Sequence, residues 1–146
     1  MKTIQEYLSE YGAYHTDPIN VRYHLVGVPM IMLSLVGMLD HWVWLNNVAF
    51  GAPLTAGLVL LVGANLFYLA LHRLLGLSMV IVTVFMYWLS LRIPFAAHVA
   101  IFVVAWILQL KGHKIEGRKP AFLENIVHLF IGPLFVQNEI LSIVED

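Results

Sequence analysis

From Trp42 to Leu71 the chain carries no Asp, Glu, Lys or Arg, and after a His72-Arg73 break two further uncharged runs follow, Leu74–Leu91 and Phe95–Leu110. A helix needs about 20 apolar residues to cross the roughly 30 Å of hydrocarbon in a bilayer. Water offers no comparable refuge. Of the 146 residues, 60% are hydrophobic and only 12% charged, against about 25% charged in soluble domains. One aqueous core in so short a chain could not hide that much apolar surface. The runs are continuous, whereas strands of a membrane barrel alternate apolar and polar residues. The expected class is therefore all-α: one integral membrane domain over 1–146, a helical bundle with about four transmembrane spans.

Turn signals place the spans. Asp17-Pro18 is an N-cap followed by proline at the first helical position, opening a span at about 18–39. Asn46-Asn47 and Gly51-Ala52-Pro53 turn the chain into a second at about 53–71. The third covers about 74–91, and Arg92-Ile93-Pro94 turns into the fourth at about 95–110. Ahead of them, Thr3 and Glu6 form a capping box for a short amphipathic helix carrying Ile4, Tyr7, Leu8 and Tyr11, ended by Gly12. After Pro120, membrane-associated helices are expected over about 121–144, two short ones broken at Gly132-Pro133.

Basic residues orient such a bundle. With the N-terminus inside, Lys2, Arg22, Arg73, Lys111, Lys114, Arg118 and Lys119 fall on the cytoplasmic side, and only Arg92 falls outside. Both termini are thus expected in the cytoplasm. The same assignment gathers His15, His24, His72, His113 and His128 at the cytoplasmic end and leaves His41 and His98 opposite. A net charge of −1 gives no basic stripe for nucleic acid. The absence of cysteine excludes disulfides, iron–sulfur clusters and thiolate metal sites.

Chemistry should therefore reside in the histidines. Two stretches concentrate them with other polar groups: Tyr14-His15, Asn20, His24, Gly27 and Pro29, then Trp106, Gln109, Gly112-His113, Glu116, Arg118 and Pro120-Ala121. Asn20 and His24, four apart, share a helix face. His113 and Glu116 project together if the helix continues, a spacing also used by paired ligands in helical bundles. Neutral imidazoles with one carboxylate suit non-haem ferrous iron, and zinc accepts the same donors. Arg118 is placed to pair with a substrate carboxylate.

These two stretches, with Asn125 and Gly132-Pro133-Leu134-Phe135 to Glu139 behind them, resemble the domain-of-unknown-function 962 family of membrane proteins, which includes a fungal 2-hydroxy fatty acid dioxygenase of phytosphingosine breakdown. The resemblance implies an Fe(2+) enzyme that uses dioxygen to shorten a 2-hydroxy fatty acid by one carbon in alpha-oxidation. It carries His15, His24 and His113 over as metal ligands and Glu116 as a fourth ligand or a group that orients one. Glu116, Arg118 and Asn20 are the expected catalytic groups. His72 and His128, where no family histidine is expected, are weaker candidates for completing an all-histidine site. The implied partners are the 2-hydroxy fatty acid, dioxygen and membrane lipids. The implied location is the inner membrane of a bacterium, favoured by the compact chain, or the endoplasmic reticulum of a eukaryote.

Two other readings compete. A transporter subunit or scaffold with interfacial histidines would be no enzyme, but transporters place ionisable groups near the midplane, and these spans carry almost none. A bis-histidine haem protein needs facing histidines within the bundle, where only His98 is available.

Overall fold

The computed structural model describes residues 2–49 and 52–144. Among them are six α-helices: α1 (Ile4–Gly12), α2 (Pro18–Asp40), α3 (Ala56–Leu71), α4 (Arg73–Ser90), α5 (Phe95–Glu116) and α6 (His128–Leu141), with a hairpin of β1 (Val43–Ala49) and β2 (Ala52–Thr55) between α2 and α3. The chain is an all-α membrane bundle carrying one small hairpin. Helices α2, α4 and α5 are long and apolar enough to cross a membrane. At 1.5 Å per residue they extend about 27–35 Å, whereas the 16 residues of α3 reach only about 24 Å.

The burial pattern is inverted relative to a soluble protein. Large apolar side chains such as Leu66, Ile81, Phe85, Val103 and Ile107 lie exposed on the outside, while Asn65, Thr83, Ser90, His98 and Gln109 are buried. Lipid covers the first set; hydrogen bonds, several of them between helices, serve the second. Asn65 on α3 donates to the Thr83 hydroxyl on α4 at 2.9 Å. Along the α2–α5 seam, Gly27, Gly37 and Gly112 give up the space where a Cβ would stand to the side chains of Gln109, His98 and Asn20 respectively. The Gln109 amide thereby reaches across to the Tyr23 carbonyl at 3.1 Å.

The capping box of α1 forms, with the Thr3 amide donating to Glu6 at 2.6 Å and the Glu6 amide to the Thr3 hydroxyl at 3.3 Å. The buried Ile4, Tyr7, Leu8 and Tyr11 join Ile131, Leu134 and Phe135 of α6 and Tyr68, Leu75 and Met79 of α3 and α4 in one core at a single end of the bundle. The opposite end is held by Asp40, which accepts hydrogen bonds from Thr55 and from Tyr87.

Three expectations change. The second helix starts at Ala56 rather than Pro53, because residues read as a turn pair as an antiparallel hairpin, with Val43 opposite Thr55 and Leu45 opposite Leu54; Gly51 of that turn lies outside the described residues. Helix α5 does not stop at Leu110 but continues to Glu116, closed by Gly117 at φ 73°. Gly132-Pro133 does not break the C-terminal segment. A short 3-10 turn, Ala121–Leu123, precedes one helix with Pro133 inside it. Proline forfeits one backbone hydrogen bond there, and burial of Ile131 through Val136 outweighs that loss. Bare Gly132 lets the Tyr11 hydroxyl approach, 2.9 Å from where a Cβ would stand.

Candidate metal centre

Three elements bring the histidines together. Helix α1 ends at Gly12, and its last turn carries the chain into the short loop that bears His15. Helix α2 presents His24 two turns from its start, and the extension of α5 presents His113. One ring nitrogen from each lies within 4.8 Å of the other two, and all three residues are buried. Ring centroids stand 4.3, 5.0 and 4.9 Å apart.

Hydrogen bonds fix what those rings present. His15 Nδ1 lies 2.7 Å from the Tyr11 carbonyl and His24 Nδ1 lies 3.0 Å from the Asn20 carbonyl. A carbonyl only accepts, so each Nδ1 carries the proton and each Nε2 keeps its lone pair. The two Nε2 atoms face each other at 3.1 Å. Two lone pairs at that distance repel unless a proton or cation stands between them. A cation about 2.1 Å from each of two nitrogens at right angles sets them about 3.0 Å apart. Buried His113 Nδ1 has no hydrogen-bond partner. The donor set therefore fits a metal, with backbone carbonyls locking the tautomers as such sites require. Burial holds the His15 imidazole below its ordinary pKa, against the opposing pull of the Tyr11 carbonyl and the Glu116 charge. At neutral pH it is an uncharged donor. Its ring stacks on Tyr11 at 4.2 Å and 9°.

Glu116 does not join the cluster. One of its oxygens accepts from the Thr16 amide at 3.1 Å and from the Thr16 hydroxyl, and the other from the Asp17 amide at 2.8 Å and Asn20 Nδ2 at 3.2 Å. The spacing from His113 fixed its helix face, but that face meets the loop just before α2, whose Thr16 and Asp17 amides donate to the carboxylate. Glu116 is a clamp that pins the loop bearing His15 to the end of α5. Asn20, expected as catalytic, is part of that clamp and also donates to the Tyr14 carbonyl at 3.4 Å. Arg118 donates to the Ala13 carbonyl and braces the same loop from outside.

His72 and His128 stand apart from the cluster. His72 caps α4, its Nδ1 accepting from the Leu75 amide at 3.2 Å. His128 lies behind Tyr11, 6.1 Å from it between ring centroids, with Nδ1 on the Ala121 carbonyl at 3.3 Å. His98 bonds within the bundle, Nε2 to the Ser90 carbonyl at 3.1 Å. Sequence reasoning missed Tyr11 and Thr16. The available signal for Tyr11 was its place four residues before His15, one helical turn away; Thr16 gave none.

An apolar cavity of about 360 Å³ opens from the cluster, with Tyr11, His24, His113 and His128 at one end. From His24 it follows one stripe of α2 through Val28, Ile31, Met32, Leu35 and Val36, and from His113 a facing stripe of α5 through Gln109, Trp106 and Phe102. Its volume is that of a small-ligand site.

Fold and site together define an α-helical membrane protein whose candidate centre is built of imidazoles at the end of a hydrocarbon-lined cavity. The sequence profile described as 2-hydroxy-palmitic acid dioxygenase Mpo1-like matches residues 1–68 and 61–143, and the chain belongs to that Mpo1-like family. It is 28% identical over 140 residues to the 2-hydroxy-palmitic acid dioxygenase MPO1 of Saccharomyces cerevisiae, an alignment covering 94% of this chain and 79% of that protein. No solved structure matches it.

Proposed function

We propose that this chain is a ferrous-iron dioxygenase of the membrane that shortens 2-hydroxy fatty acids by one carbon. The observation that carries the reading is the pair of imidazole lone pairs facing each other at 3.1 Å, with His113 completing the group, at the end of an apolar cavity. The family supplies the reaction class, since the yeast relative is by name a 2-hydroxy-palmitic acid dioxygenase. His15, His24 and His113 hold the metal. Zinc suits the same donors but has no redox chemistry, and oxidation by dioxygen requires it. When bound, ferrous iron supplies electron transfer and open positions at which dioxygen and the hydroxy acid react.

The overall change is R–CHOH–COOH + O2 → R–COOH + CO2 + H2O. The C1–C2 bond breaks, C2 becomes the new carboxyl carbon, C1 leaves as carbon dioxide, and dioxygen accepts the electrons. The Tyr11 and Asn20 carbonyls hold the Nδ1 protons so that His15 and His24 keep donor nitrogens toward the centre. Glu116 and Arg118 hold the His15 loop in register with α5. The cavity walls take the hydrocarbon tail and keep water from it. The seven-to-one bias of basic residues supports a cytoplasmic position for this end and for both termini.

Elemental analysis of purified protein, with oxygen consumption on 2-hydroxy acids, tests the reading. Stoichiometric iron without haem and acid-dependent oxygen uptake are expected, both lost in His113→Ala. Wild-type protein without iron, or a His113→Ala variant that keeps iron and turnover, defeats it.

A further inference from the structure

We propose that Val36, Leu60, Met86 and Phe102, one from each of the four bundle helices, form a stop at the far end of the cavity that gauges the length of the acyl chain. The inference rests on the dioxygenase reading for the identity of the head group, while the gauge itself rests on the cavity. All four residues line it. On α2, Val36 stands 12 residues beyond His24, about 18 Å along the helix; on α5, Phe102 stands 11 residues before His113, about 17 Å. The two stripes therefore run out at the same depth. Leu60 and Met86 reach that depth from the other side. Tyr87, next to Met86, bonds to Asp40 one turn past Val36, and Leu60 lies one turn after Thr55, which bonds to the same carboxylate.

The residues beyond this ring do not line the cavity. His98, fully buried, occupies the space a Gly37 Cβ would take and bonds to the Ser90 carbonyl, and the Asp40–Thr55–Tyr87 group seals the remaining gap. The cavity therefore ends at this depth along all four helices.

The depth converts to a carbon count. An extended hydrocarbon advances about 1.25 Å per carbon, from ~1.5 Å bonds at tetrahedral angles, so about 13–14 carbons fit between the histidines and the stop. With C1 and C2 at the metal end, the best-fitting acid has about 15–16 carbons. The lining is apolar for nearly its whole length, so methylenes make the contacts. Each methylene that fits or fails to fit in such a slot changes selectivity by roughly 10-fold or more.

Met86→Trp adds the volume of about two to three methylenes at that end of the cavity. Met86→Ala removes a similar amount, and Leu60→Trp repeats the filling from another helix should Met86→Trp not fold. Each variant, as full-length protein in lipid nanodiscs, is assayed with 2-hydroxy acids of 10 to 20 carbons. Turnover gives kcat/KM for each length. A separate arm measures displacement of cis-parinaric acid by the same acids in chelator-treated protein, where no chemistry occurs. Filling variants are expected to move both optima shorter by about two to three carbons and to lower kcat/KM for the longest acids at least tenfold; Met86→Ala is expected to move both longer. Shifted displacement without turnover by any protein supports the gauge and overturns the dioxygenase reading. Length profiles that superimpose across wild type and variants overturn the gauge, turnover or not. So does failure of every acid to displace the probe while phospholipid co-purifies in the cavity.

Discussion

Replacing Glu116 with Gln separates a clamp from a ligand. The carboxylate accepts four hydrogen bonds, two on each oxygen, from Thr16, Asp17 and Asn20. Glutamine preserves shape and one acceptor oxygen, so two of the four bonds survive. Its amide nitrogen then faces two donors it cannot accept from. Bonds to a charged group in full burial are worth about 1.5–3 kcal/mol each, but this carboxylate is half-buried, and about 0.5–1.5 kcal/mol per lost bond is the better scale. Loosening the His15 loop by about 1–3 kcal/mol should weaken metal binding by about 5-fold to 150-fold, in line with other groups that orient metal ligands. The assay is competition against a chelator of known affinity, on wild type, Glu116→Gln, Thr16→Ala and the double variant. Clamping predicts that Thr16→Ala weakens binding too, and that the double variant loses less than the sum of the two, because both act through one contact. Unaltered affinity in Glu116→Gln, or strict additivity with Thr16→Ala, refutes the reasoning. Loss of all binding in Glu116→Gln alongside normal binding in Thr16→Ala would make the carboxylate a ligand.

Other consequences can be checked alongside. Gly57→Ala sets a methyl 2.6 Å from the Val36 carbonyl and 3.0 Å from the Asp40 amide, both rigid backbone; it should cost about 1–3 kcal/mol, read as a lower thermal midpoint in detergent, and an unchanged midpoint contradicts the packing of α3 on α2. Because burial depresses the His15 pKa, the folded metal-free chain binds that proton less readily than the unfolded one. Its stability should therefore be level above about pH 6.5, the unperturbed imidazole value, and fall as the pH drops below it. A melting series from pH 8 to 5 in chelator checks this, His15→Asn should make the acid limb shallower without abolishing it because buried His24 and His113 remain, and a midpoint that rises on acidification reverses the sign.

What the sequence made readable was whatever a single segment determines. The α1 capping box, the Asp17-Pro18 start and the membrane character of the long apolar runs are local or compositional, and they appear in the fold. The placement of His15, His24 and His113 at one end followed from the order of the expected spans, without knowledge of packing. The misreadings are all cases in which a distant neighbour decides. Pro133 looks like a breaker until α1 and α4 pack around it. Glu116 reads equally as a ligand or as a group that orients one until the amides just before α2 arrive to take its oxygens. The residues of β1 hold β-branched and aromatic side chains as well as Asn46-Asn47, and only pairing with β2 decided between strand and turn.

The centre joins two neighbours in sequence, His15 and His24, to a third residue made much later. At about 5–20 residues per second, translation needs roughly 4–18 s to travel from His24 to His113. Throughout that interval the nascent protein has two of the three imidazoles and lacks the third. The complete set of donors exists only once α5 has entered the bilayer and Glu116 has docked at the beginning of α2. On the proposed reading, a chain stalled or misthreaded before its last long helix lacks His113 and would hold no metal firmly, so loading would follow completed insertion.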